Sequence, residues 1–263
     1  MKPLPAILLK EFAEIGKNKL LLFTIVGPLL LLPILPLAMV YTVNLNLEPV
    51  TVEDVRTFVA RVPAWANLPP RDVLLMVMLQ QMMILFWIMP LAIPMSVAAF
   101  SIIGEKKART LEPLLATPVP TSTILLGKSI AAVLPGLCAT WLAYLLTLVG
   151  LRLLLTSEVV WQAISGPVWW VAMGAVTPLL ALFSVLVGVI VSSRVNDTRV
   201  AQQIGGVVVL PVVAFSVAQV AGFLLLNMTT ILLGGLIVLA LDGLTLWVAV
   251  VLFERERILT RWT

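Results

Sequence analysis

The chain has 263 residues, of which 61% are hydrophobic and 11% charged. Soluble domains carry roughly 25% charged residues, so this chain has too little polar surface to enclose its apolar residues in water, and lipid is the solvent for most of it. The net charge of +4 does not point to nucleic acid, because the basic residues are scattered in short segments between apolar runs.

Residues 3–19 are expected to form an amphipathic helix in the membrane interface. Leu4, Leu8, Phe12 and Ile15 recur at helical spacing, with Lys10, Glu11, Glu14 and Lys17 on other faces. The charged stretch from Lys10 to Lys19 and the length of the apolar run after it do not fit a cleavable signal peptide, so retention of this segment is expected. The first span is expected at 20–43 and carries Pro28, Pro33 and Pro36, which membrane helices tolerate when neighbours satisfy the freed carbonyls. The polar segment 44–73 is too small for a folded domain. Thr51 and Asp54 suggest the start of a short surface helix with Val52, Val55, Val59 and Val62 on one stripe.

Further spans are expected at 74–103, 129–151 and 167–191, the last opening with the interfacial pair Trp169 and Trp170. From Gly205 to Phe253 the chain is apolar for 49 residues, with Asp242 the only charge. That length suits two helices, at 205–226 and 230–253, turning at Asn227 to Thr229, although a re-entrant segment fits it too. The expected class is therefore an all-α integral membrane protein with six transmembrane helices, forming one domain over 1–263.

Six spans put both termini on one side, and the basic residues choose it. Lys2, Lys10, Lys17, Lys19, Lys106, Lys107, Arg109, Lys128, Arg194, Arg199, Arg255, Arg257 and Arg261 fall on the side of the termini, and Arg56, Arg61, Arg71 and Arg152 on the other. The bias of 13 against 4 places the termini and the segments 104–128 and 192–203 in the cytoplasm.

Candidate chemistry is sparse. The chain has no histidine, which removes the commonest general base and metal ligand. Its one cysteine, Cys138, cannot form an intrachain disulfide. Gly127-Lys128-Ser129 mimics the end of a phosphate-binding loop, but Ser122 stands where the pattern needs glycine. Gly127 and Lys128 are read instead as the end of a loop and an anchor for the third span. Asp242 lies 12 residues before Glu254, roughly 18 Å along a helix, which puts it near mid-membrane. It is either a substrate, proton or switch group or a structural carboxylate. Six of the ten methionines lie between Met76 and Met95, close to Gln80 and Gln81. With Met83 these amides suit either a wall for cargo of variable shape or ordinary helix packing.

The segment 104–128 carries the most specific pattern. It reads Gly-Glu-Lys-Lys-Ala-Arg-Thr-Leu-Glu-Pro-Leu-Leu-Ala-Thr-Pro-Val-Pro from Gly104 to Pro120, then Leu126-Gly127-Lys128. Thr110 can cap a short helix whose first turn holds Glu112 and Pro113. Leu111, Leu114 and Leu115 share one face, and Thr117, Pro118 and Pro120 end it. This stretch closely resembles the signature of the ABC type-2 transporter permease family, with Arg109 where many members have glycine. Two further stretches resemble the same family. They are Ser193 to Ile204, followed by Pro211, and Phe253 to Trp262.

The resemblance implies a transport subunit of the plasma (inner) membrane that works as a pair of permease copies over two cytoplasmic ABC ATPase subunits. ATP and Mg would be bound by the ATPase and no cofactor by this chain. Segment 104–128 would hold the coupling helix, with Glu105, Arg109, Thr110, Leu111, Glu112, Leu114, Leu115, Thr117 and Pro118 as contacts. Arg194, Asn196, Asp197 and Arg199 would make a second cytoplasmic contact, although Asn196 or Asp197 also suits a helix cap. Most members export lipids, drugs or other amphipathic molecules. The competing classes are an ion-coupled carrier or channel, which would rely on Asp242, and a membrane scaffold without ATP coupling.

Overall fold

The computed structural model describes residues 3–45, 50–110, 119–221 and 226–252. Among them every regular element is helical. In chain order these are α1 (Pro3–Lys17), α2 (Lys19–Leu45), α3 (Val52–Arg61), α4 (Pro70–Ile84), α5 (Ile88–Lys107), α6 (Thr121–Leu154), α7 (Glu158–Ser165), α8 (Pro167–Val171), α9 (Thr177–Arg194), α10 (Thr198–Gly205), α11 (Leu210–Val220) and α12 (Met228–Leu252). A tight turn of helix at Leu85–Trp87 joins α4 to α5, a wide one at Ala172–Val176 joins α8 to α9, and a tight one at Gly206–Val209 joins α10 to α11. Among the described residues, six helices or runs of joined helices are long and apolar enough to cross a membrane.

Proline accounts for two of the joints. Pro90 follows the tight turn in the second span, and Pro178 follows the wide turn in the fourth. Each lacks the N–H that would continue the ladder. A neighbour serves a backbone carbonyl at the wide turn: the indole of Trp141 on α6 donates to Met173 O at 2.8 Å. That is the condition under which irregular backbone survives in lipid.

The second span is the central post. Within its most apolar window 78% of residues are buried by the rest of the chain, against 17% for both the first and the sixth span. α5 packs on α6 and α9, α2 on α6, and α12 on α9. Small residues let these helices approach, as expected where packing drives association. A methyl group added at Gly136 on α6 would stand 2.9 Å from Pro94 Cγ of α5, and one at Gly205 would stand 2.1 Å from Met95 Cε.

The Thr51–Asp54 start of α3 forms as its sequence suggests, with Asp54 Oδ2 accepting from the Thr51 backbone and hydroxyl, each at 2.8 Å. Val55 is buried on its stripe, whereas Val52 points outward. At that end of the bundle Arg71 donates to Asn44 Oδ1 at 2.8 Å, Asn44 donates to Leu154 O at 3.1 Å, and Ser157 donates to Asp72 at 2.7 Å. These bonds tie the first four spans together.

Candidate functional site

At the opposite end, the two helices that flank segment 104–128 meet α1 in a buried group of charges. α1 turns a seam of Leu4, Ile7, Leu8, Glu11 and Ile15 inward. The apolar stripe read from the sequence included Phe12 and put Glu11 on another face. In the fold Phe12 is 38% exposed and Glu11 only 2%. Glu11 is inside because a cation awaits it there. Lys128 lies seven residues into α6, and its ammonium sits 2.7 Å from Glu11 Oε1, 2.9 Å from Glu105 Oε2 and 2.7 Å from Ser101 Oγ. The ammonium donates hydrogen bonds to Glu11 and Ser101 and stands in an ion pair with Glu105. The Ser101 hydroxyl in turn donates to Glu11 Oε2 at 2.7 Å. Lys10 closes the group by donating to the other oxygen of Glu105. Two lysines thus balance two buried carboxylates, which is what permits ions to be buried at all. Burial by itself would lower the Lys10 pKa. The hydrogen bond to Glu105 and the charges of Glu105, Glu11 and Glu14 outweigh it and hold Lys10 above the ordinary lysine range. Lys10 is therefore charged at neutral pH, and its attraction fades only as pH rises through that raised value.

Lys106, the next residue, faces the other way. Its ammonium takes the carbonyls of Ser192 and Ser193 at 2.6 and 2.9 Å, at the C-terminal end of α9. A cation there suits both the unpaired carbonyls and the helix dipole. Glu105 and Lys106 therefore fasten one end of the second span to α1 and α6 on one side and to α9 on the other. Glu105 is expected from the sequence among the ATPase-coupling contacts, and the fold buries its side chain against Lys128 and Lys10. Leu111, Glu112, Leu114, Leu115, Thr117 and Pro118 lie outside the described residues, as does the short helix expected for them.

Past α9, Asp197 caps α10, accepting from the backbone N–H of Arg199 at 2.7 Å. That bond holds the exposed carboxyl below the ordinary carboxylate range, so the cap is intact at neutral pH and lost only under acid. Arg194 ends α9.

Midway along the bundle, Gln81 on α4 donates to the hydroxyl of Ser216 on α11. Trp87 and Phe215 pack nearby with ring centroids 6.1 Å apart. Gln81 Oε1, Trp87 Nε1 and Gln219 Oε1 are buried with no hydrogen-bond partner among the described residues. The second and fifth spans thus meet at the Gln81–Ser216 bond and also carry the unsatisfied polar atoms of Gln81, Trp87 and Gln219, which adds Ser216, Gln219 and Trp87 to the two glutamines picked out by sequence. Gln80 is half-buried. Met83 is fully buried in the hydrophobic core.

Asp242 is 4% exposed, and neither carboxylate oxygen has a partner among the described residues. It shares the buried stripe of α12 with Ile231, Gly235 and Ala249, and Gly235 meets Val176 beside α9. An unsatisfied buried polar group costs about 1–3 kcal/mol. Asp242→Leu is therefore expected to raise the thermal stability of the detergent-solubilised protein by about that much, read as a higher unfolding midpoint.

Residues 75–240 match the model of a family described as ABC-2 family transporter protein. The chain belongs to that family. No curated protein matches it. The match runs from the second span into the sixth and holds Glu105, Lys106 and Lys128, while α1 with Lys10 and Glu11 lies before it. The molecule is thus the membrane permease of an ABC transporter.

The ABC-2 permease shows why glycine suits position 109. Arg109 has φ of 55°, the left-handed region. Thr110 N bonds to Glu105 O at 3.0 Å and Arg109 N to Lys106 O at 3.2 Å. This paired pattern closes a helix through a left-handed residue, a place glycine takes without strain. Thr110 therefore closes the helix before segment 111–118. Arg109→Gly is expected to stabilise the permease by about 1 kcal/mol, measured by thermal unfolding.

Sequence reasoning missed Ser101 and the pairing of Glu11 with Lys128, a lysine it read only as an anchor for the third span. The available signal was a carboxylate within an apolar stripe, together with a lysine followed at once by a span.

Proposed function

We propose that this ABC-2 permease is the membrane half of an ATP-driven exporter of amphipathic molecules. Its Lys106–Lys128 end faces the cytoplasm, in keeping with the 13-to-4 bias of basic residues, and α1 lies along that face. Two copies pair in the plasma (inner) membrane over two ABC ATPase subunits, which carry the ATP and Mg. Segment 111–118 docks on the ATPase through Leu111, Leu114 and Leu115, with Arg109, Glu112, Thr117 and Pro118 around them. Asn196, Arg194 and Arg199 make the second contact.

The observation that carries this reading is the mounting of that segment. It is strung between α5 and α6, and Glu105 and Lys106 tie the end of α5 to three other helices. A push on the segment is passed into the bundle rather than absorbed by a loose loop. The buried polar groups of Gln81, Ser216 and Gln219 on the second and fifth spans become hydrogen-bonding partners for a cargo of both characters once those spans part.

The test is co-purification. A soluble ATPase is expected to accompany the tagged chain from its native host and to be lost with Leu111→Asp and Leu115→Asp combined, while the permease itself stays monodisperse. If no ATPase associates under several mild conditions, an ion-coupled carrier using the unpaired Asp242 takes precedence.

A further inference from the structure

We propose that Gly127 and Lys128 form a docking notch for the N-terminal helix, and that α1 travels as one rigid body with the ends of the second and third spans through the transport cycle. This goes beyond the ATP-driven reading and rests on it.

The notch has two parts. Gly127 supplies the space. A methyl group there would stand 2.7 Å from Ile7 Cγ2, 3.2 Å from Ile7 Cβ and 3.4 Å from Leu4 Cδ1. The absent side chain is thus what lets α1 lie against α6. Lys128 supplies the address. It meets Glu11 in a pair of which each side chain is no more than 4% exposed. A stripe of leucine and isoleucine alone would hold α1 at the surface in many registers, since apolar contact is non-directional. A buried ion pair fixes one register, because any slide leaves charges unpaired in an apolar site. A helix that only anchored the chain in lipid would need no such address. One that must follow α5 and α6 does.

The test uses the permease with its ATPase, reconstituted in lipids of the native host, and reads ATP hydrolysis. In a Cys138→Ala background, Ile7→Cys with Gly127→Cys places two Cβ atoms about 3–4 Å apart, within reach of a disulfide. Cross-linking is expected to proceed equally without nucleotide and with ATP plus vanadate. The cross-linked complex is expected to keep its hydrolysis rate within about twofold of the reduced one, since a link inside one rigid body restrains nothing that moves. A link that forms in only one nucleotide state, or that stops hydrolysis until reductant is added, overturns the proposal.

A second pair of variants does not depend on the cysteines. Glu11→Lys alone sets three lysines against one buried carboxylate and is expected to lower the hydrolysis rate at least tenfold. Adding Lys128→Glu restores two of each sign and is expected to recover most of that loss. Absence of recovery overturns the charge address. If the wild-type chain binds no ATPase, the exporter reading fails by itself. Cross-linking of the permease alone then still decides whether α1 is docked at Gly127.

Discussion

Lys128→Met is expected to unfold or loosen the Lys106–Lys128 end of the permease more than any other single exchange near segment 104–128. Methionine matches the length of lysine but carries no charge, so Glu11 and Glu105 would be left facing each other, each about 95% or more buried, with only Lys10 between them. Breaking a buried ion pair from one side costs about 3–5 kcal/mol, most of it the penalty of stranding the remaining charge. The measurement is thermal unfolding in detergent, together with proteolysis of α1, which should become cleavable once Glu11 loses its partner. The companion Glu11→Gln with Glu105→Gln on the Lys128→Met background should recover much of the loss, because no ion is then stranded. An unfolding midpoint for Lys128→Met equal to that of the wild type would mean that water reaches this group and that its geometry contributes little.

Gly136→Leu is expected to be nearly as damaging, for a reason of shape. Gly136 faces the ring of Pro94, whose Cγ and Cδ would lie 2.9 and 3.0 Å from the first added carbon. A proline ring cannot swing aside, and Pro94 is fixed within the second span, the most enclosed helix of the bundle. α6 must therefore move away from α5 along their contact. Overpacking of this kind costs about 1–3 kcal/mol, occasionally more. Size-exclusion profile and unfolding midpoint in detergent would report it. Gly234, by contrast, has nothing within 4 Å of an added methyl, so Gly234→Ala should be nearly silent and serves as the control.

Much of the architecture was legible in the chain. Apolar runs of membrane length marked the six spans, because lipid admits only helices with their backbone groups satisfied internally. The Thr51–Asp54 capping pair and the Asp197 cap were legible because their partners lie within a few residues. The signature around Arg109 and Lys128 placed the chain in its family. Helix ends were less legible. α6 begins at Thr121 rather than near 129, and α4 at Pro70 rather than near 74. Hydropathy marks where lipid begins, whereas hydrogen bonding decides where a helix begins.

The site was only partly legible. Gln81 stood out as an amide in an apolar run, but its partner Ser216 is 135 residues away. Met83, chosen for its place in a methionine-rich run, turned out to face the core, since composition does not say which side of a helix meets a neighbour. Glu105 reads in the sequence as a coupling contact on a loop because it begins a charged stretch. The helix in fact runs on to Lys107, and that extra turn carries Glu105 inward.

The sequence by itself determined the solvent of this protein, its helical class, its span count and its family, all of which follow from local composition and from motifs of neighbouring residues. Only the tertiary structure decided which charges are paired. Glu11 and Lys128 are 117 positions apart, and Lys10 and Glu105 are 95. A charge near a membrane surface reads the same in sequence whether it is solvated or buried. Its partner depends on how three helices converge, and the notch at Gly127 that brings them together is visible only as the absence of a side chain.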